Sequence, residues 1–230
     1  MHKYLRMSSI TFLTLFLSVT ISSSNAVAKK TQAPDTTHDG LERILKSKVD
    51  LAYAKPGVDF SGYSKFLVLD SYVAFKKGWE KNYRDINRRH LSTADLEKMK
   101  TGIAELFNEV LVEELQKDEG YEIVSEPAED VLILRPSIVN IEVTAPASRS
   151  AGRSYTFSSS AGDATLQMDV YDSLSGEILA RGIDRQEAGH PGDFVTWSNG
   201  MSNRSAAKRI FKKWSRILRK RLDNIKNSKD

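Results

Sequence analysis

The chain has 230 residues, 40% hydrophobic and 28% charged, with 34 Lys plus Arg against 30 Asp plus Glu; this is the composition of an ordinary globular protein long enough to bury one core. It contains no cysteine, which excludes disulfide scaffolds, thiolate zinc sites, iron–sulfur clusters and cysteine nucleophiles.

The first residues read as an address. Lys3 and Arg6, with no acid, precede an apolar stretch from Ile10 to Ile21, then a polar run Ser22 to Asn25 and the small residues Ala26 and Ala28. That pattern predicts a signal peptide over 1–28, cleaved after Ala28 or alternatively after Ala26. Its apolar part is shorter than the roughly 20 residues that span a bilayer. The expected location is the periplasm, with no transmembrane anchor after processing and, without a cysteine, no lipoprotein tether. The charge that remains is lopsided. Residues 204–230 carry eleven Lys or Arg against Asp223 and Asp230, while residues 29–203 carry 21 basic and 28 acidic residues.

After a polar segment over 29–40, expected to be a flexible leader that includes His38, the expected domain runs from 41 to 226, with a disordered tail at 227–230. A short amphipathic segment, Leu41 to Val49, precedes the Pro56-Gly57 turn, and Lys65 to Phe75 has the composition of a strand. Ser92 with Asp95 three residues on forms a short-acid capping box. It opens a helix whose Leu96, Met99, Ile103, Leu106, Phe107, Val110, Leu111 and Leu115 make one stripe through Lys117, with Gly120 as the stop. Strands follow at Tyr121 to Ser125, at Val131 to Thr144 with an interruption at Pro136, at Ala164 to Tyr171 and at Glu177 to Glu187; the last two form a hairpin in which Gly176 takes positive φ. Between them, Ala147 to Asp163 is rich in Ser and Gly and reads as a loop. A final helix, Ser205 to Ile225, sets Ile210, Phe211, Trp214, Ile217, Leu218, Leu222 and Ile225 on one side, and Lys212, Lys213, Arg216, Arg219 and Lys220 largely on the other. The order β-α-β-β-β-β-α predicts an α+β fold: one mostly antiparallel sheet with two long amphipathic helices on one face.

No motif of catalysis is found. His38, His90 and His190 are not paired at metal-ligand spacing. No G-x-S-x-G elbow is present, the Gly-rich stretches lack the Lys-Ser/Thr of a phosphate loop, and Asp169 with Asp172 or Glu113 with Glu114 have ordinary surface spacing. No catalytic, metal or cofactor site is therefore expected. Two candidate contact regions remain. The first is the cationic face Lys212, Lys213, Arg216, Arg219 and Lys220, which would meet an anionic surface; Trp214 and Phe211 lie on the apolar stripe, and the export signal argues against nucleic acid. The second is the Gly189 to Asp193 turn, which would present His190 and Asp193. The loop at 147–162 is a further candidate surface.

Four stretches resemble the bacterial envelope family known as domain of unknown function 3313 (DUF3313): "VDFSGYSKFLVLDSYVAF" at 58–75, "GYEIVSEPAEDVLILRPSIVNIE" at 120–142, "DVYDSLSGEILARGID" at 169–184, and the Trp197 to Leu222 segment containing "FKKWSRILRKRLD". Their order and spacing cover most of residues 50–223. The resemblance implies an exported α+β domain, often a lipoprotein in relatives, with no assigned activity and no catalytic residue to carry over. The reading is a non-enzymatic periplasmic domain that binds an envelope protein or an anionic envelope surface. The alternative is an envelope hydrolase whose carboxylates converge in a deep pocket.

Overall fold

The computed structural model describes residues 33–81, 91–142, 161–188 and 200–227. The signal segment, the greater part of the 147–162 loop, His90, His190, Asp193 and the last three residues lie outside them. The elements in chain order are β1 (Glu42–Arg43), β2 (Leu51–Ala54), β3 (Lys65–Val68), β4 (Tyr72–Phe75), α1 (Thr93–Gln116), β5 (Glu122–Ile123), β6 (Val131–Ile141), β7 (Ala161–Asp172), β8 (Ile178–Ala188) and α2 (Gly200–Asn227). The fold class is α+β. Eight strands form one sheet in the order β1-β2-β8-β7-β6-β3-β5, with β4 beside β6. The pairs β1–β2, β2–β8, β7–β8 and β6–β7 are antiparallel; β3–β6, β3–β5 and β4–β6 are parallel.

The helix cap forms as its residues dictate: Ser92 Oγ accepts from the Asp95 amide at 3.1 Å, and the Asp95 carboxylate accepts from the Ser92 amide at 3.1 Å. At the other end the left-handed residues are Asp118 and Glu119, both at φ 52°, while Gly120 is needed for space. A Cβ there would press on the carbonyl oxygen of Leu115 and stand 2.5 Å from Arg219 Nη1. The hairpin turn is closed by the Asp172 carboxylate, which accepts from the Ser175 amide at 2.6 Å and from the Leu174 amide at 3.2 Å, and Gly176 has φ 69°.

Several expectations need correction. The strand expected over Lys65 to Phe75 is two strands, β3 and β4, separated by Leu69, Asp70 and Ser71. The interruption expected at Pro136 is absent, because β6 runs through it: Leu134 O faces β3 and takes the Leu69 amide at 2.9 Å, so the nitrogen of Pro136, two residues on, faces the gap between β3 and β4. No ladder bond is lost there. Two short strands, β1 and β2, precede those expected, and Ala161 to Asp163 belongs to β7 rather than to a loop. Residues 33–40, expected to be flexible, are tied to the sheet: Thr36 bridges Glu42, Arg43 N donates to Asp35 O at 2.8 Å, and Asp39 pairs with Arg181 at 3.0 Å. That lattice offsets the ordering entropy that the polar composition alone would leave unpaid.

The core lies between the sheet and the helices. Phe107, fully buried, meets Phe211 edge-on at 5.2 Å and Trp214 at 6.4 Å. Beneath them lie Leu134 and Ile138 of β6 and Leu166, Met168 and Val170 of β7. Arg219 of α2 locks the end of α1, its Nη1 donating to the carbonyls of Glu114, Leu115 and Lys117 at 3.2, 3.1 and 2.8 Å, while its guanidinium lies 5.2 Å from the ring of Tyr121.

Candidate functional site

Strand register determines what the helices cover. Opposed residues of an antiparallel pair share a face, so Leu134, Val170, Ala180 and Ala54 form one row across β6, β7, β8 and β2; Pro136, Met168, Gly182 and Ala52 form the next. In both rows the β8 and β2 positions carry only Ala or Gly. A Cβ built on Gly182 would meet no atom within 4 Å. Over this block of small residues lies the C-terminal half of α2, where Ile217, Leu218, Leu222 and Ile225 remain partly exposed although they belong to the apolar stripe. The space left between them is a cleft of about 980 Å³ whose floor includes Ala52, Ala54, Ala180 and Gly182.

The polar groups of the cleft divide by charge. Its acids are engaged: Asp184, buried on the helix-facing side of β8, accepts the Trp214 indole N–H at 2.8 Å and the Gln186 amide at 2.5 Å, and Asp223 accepts from Arg219 at 2.7 Å and from the Tyr121 hydroxyl at 3.1 Å. Burial and the Asp223 carboxylate push the Tyr121 hydroxyl pKa up to about 12, so it remains a donor. The cations stand mostly on the rim. Lys46 and Lys48 lie on the segment between β1 and β2, and Arg209, Lys220 and Arg221 on α2; all five are exposed and have no ion-pair or hydrogen-bond partner among the described residues. The Ser215 hydroxyl, in a residue that lines the cleft and is 1% exposed, also has no partner.

The five cations expected as one contact face have different neighbours. Arg219 caps α1. Arg216 pairs with the buried Glu114 at 3.3 Å, Lys212 with Glu113 at 4.0 Å, and Lys213 donates to Gln186 at 2.7 Å. Lys220 alone among them is unpaired, and the cations at Lys46, Lys48, Arg209 and Arg221 join it around the cleft. The sequence signal for these was the basic run on α2 and the Lys-Ser-Lys segment at 46–48; what was missed was the floor that gives them a common rim. No group of three or more His, Asp or Glu able to hold a metal occurs among the described residues. The other buried carboxylate of the sheet, Asp169, is held by Arg181 Nε at 2.6 Å and by Gln167 at 3.1 Å, a structural pairing on the opposite face.

These features define an α+β domain with an apolar cleft under a cationic rim. The chain belongs to the DUF3313 family of proteins of unknown function, whose model matches residues 37–218. No curated protein matches. Solved structures with similarity include the PelC dodecamer from Paraburkholderia phytofirmans, 13% identical over 73% of this chain and 96% of that one with a TM-score of 0.34. The hypothetical protein CT253 from Chlamydia trachomatis is 11% identical over 70% and 98%, TM-score 0.37. A putative neuraminyllactose-binding hemagglutinin homolog from Helicobacter pylori is 11% identical over 75% and 93%, TM-score 0.34. Likeness of this depth carries no function to this chain. No helix among the described residues is long and apolar enough to cross a membrane.

Proposed function

We propose that the protein is an exported, non-enzymatic binding domain of the cell envelope. The observation that carries this reading is the cleft itself: its walls are apolar, its acids are committed to Trp214, Arg219 and Tyr121, and its unpaired charged groups among the described residues are cations on the rim. A hydrolase of the carboxylate type needs two acids converging on one open space, and Asp184 and Asp223 are both occupied in holding α2 and its neighbours. The basic residue pair, apolar stretch and small residues at 3–28 support export, and the absence of cysteine removes a lipid tether.

Fractionation of cells producing the untagged protein, with intact mass from each fraction, tests the compartment. A periplasmic species beginning at Lys29 or Val27 is expected. A full-length cytosolic species would overturn the reading and turn the basic α2 toward nucleic acid.

A further inference from the structure

We infer that the cleft takes the acyl chain of one anionic lipid and that the rim lysines and arginines hold its phosphate. The inference rests on the reading of an envelope binding domain and names the ligand class of that site.

The volume of about 980 Å³ lies at the upper end of the range for small-molecule sites. An α-helix 10–12 Å across would fill it in about two turns, too short a segment to supply a stable partner, whereas a flexible hydrocarbon chain can follow a groove with Ala52, Ala54, Ala180 and Gly182 on one side and Leu218 and Leu222 on the other. On the sheet side the Asp184 carboxylate is held by the Trp214 indole and the Gln186 side-chain amide. At the mouth the unpaired Lys46, Lys48, Lys220 and Arg221 create a positive field that suits a phosphate and resists a zwitterionic or cationic head group. The lip also carries Leu45, 83% exposed beside Lys46, an apolar tip among cations, as a residue that enters a lipid interface would be.

The test uses the full-length processed protein and monomeric palmitoyl lysophosphatidic acid, with palmitoyl lysophosphatidylcholine and inorganic phosphate as controls, read by native mass spectrometry and tryptophan fluorescence. Binding of one lysophosphatidic acid per chain is expected, weaker with rising salt, and about fourfold tighter for each methylene added to the chain until the cleft is full. Gly182→Leu projects into the empty space and should weaken binding on the order of tenfold by displacing methylenes, with an unfolding midpoint no lower than that of the parent protein. Ala52→Phe, from the neighbouring strand, provides the same block if the first variant misfolds. Charge reversal at Lys220 and Arg221 should weaken lysophosphatidic acid and narrow its advantage over lysophosphatidylcholine, whose choline offsets the charge of its phosphate. Three outcomes would overturn the inference: equal binding of inorganic phosphate alone, full binding by both blocked variants, or a dimer that both blocked variants dissociate. Retained binding of blocked variants to phosphatidylglycerol vesicles would sink the cleft while sparing the envelope reading. That reading fails separately, by a cytosolic full-length species in the fractionation.

Discussion

Two ends of one helix-facing sheet surface are built from the same rows of residues and behave oppositely. At the β6–β7 end, Leu134, Ile138, Leu166 and Val170 fill the space below Phe107, Phe211 and Trp214; at the β8–β2 end, Ala180, Gly182, Ala52 and Ala54 leave it open beneath Leu218 and Leu222. The apolar stripe of α2 continues over both ends, through Phe211 and Trp214 and then Leu218 and Leu222, so the strands below contribute the difference through their side-chain volume. A sheet covered by helices is a core where the strands supply bulk and a receptacle where they do not.

The sharpest way to break this comparison is at the packed end. Phe107→Ala removes a fully buried ring with two aromatic neighbours and is expected to cost about 3–5 kcal/mol in denaturant unfolding; a cost below about 1 kcal/mol would mean that the packed end is as loose as the cleft. Next is Arg219→Ala, which removes a donor from the carbonyls of Glu114, Leu115 and Lys117 at the end of α1, leaving Leu115 O only the Tyr121 amide, and removes one of the two cations over the Tyr121 ring, Lys226 being the other. A loss of about 2 kcal/mol is expected, with Arg219→Lys recovering only part of it, because one ammonium cannot reproduce the guanidinium fork.

At the open end, Gly182→Leu sharpens the contrast. Adding a side chain in a strand with room to receive it should leave stability unchanged or raise it by about 0.5–1 kcal/mol; a loss larger than about 1 kcal/mol would show that the cleft is closed in solution. The smallest effect concerns the turn that fixes the register of both ends. The Ser175 hydroxyl, then the Ser175 amide, and Tyr63 hold the Asp172 carboxyl below its ordinary value. Because the folded value is the lower one, the stabilisation is fully present above the unfolded value of about 3.9 and is lost as the pH falls through the folded value. Asp172→Asn should flatten that part of the acid limb in a pH series of melting curves.

Much of this was legible in the residues. The Ser92–Asp95 box, the stripe from Leu96 to Leu115, the hairpin at Asp172 to Gly176 and the α+β class follow from periodicity and turn chemistry, which are local. The cleft was not, because its floor joins residues of β2 and β8 that are far apart in sequence and meet only through the register of Ala52 with Gly182 and of Ala54 with Ala180. A four-residue strand such as β2 is too short for an alternation to stand out. Pro136 misled for a related reason: a proline costs a strand only where its neighbour asks for the missing donor, and the neighbour here is a gap. On α2 the charged side was legible, but not that Arg219 and Arg216 would be spent on α1.

The grip of Arg219 on the last carbonyls of α1 has a consequence for how the molecule opens. The end of one helix cannot fray without releasing a side chain rooted in the middle of the other, so the amides of the last turn of α1 and those around Trp214 should exchange with solvent hydrogen as one unit, at nearly the same free energy. The last turn of α2, beyond Asp223, lies outside that clasp and should exchange faster and independently, while the roof of the cleft at Leu218 and Leu222, on either side of Arg219, opens only with the clasped unit.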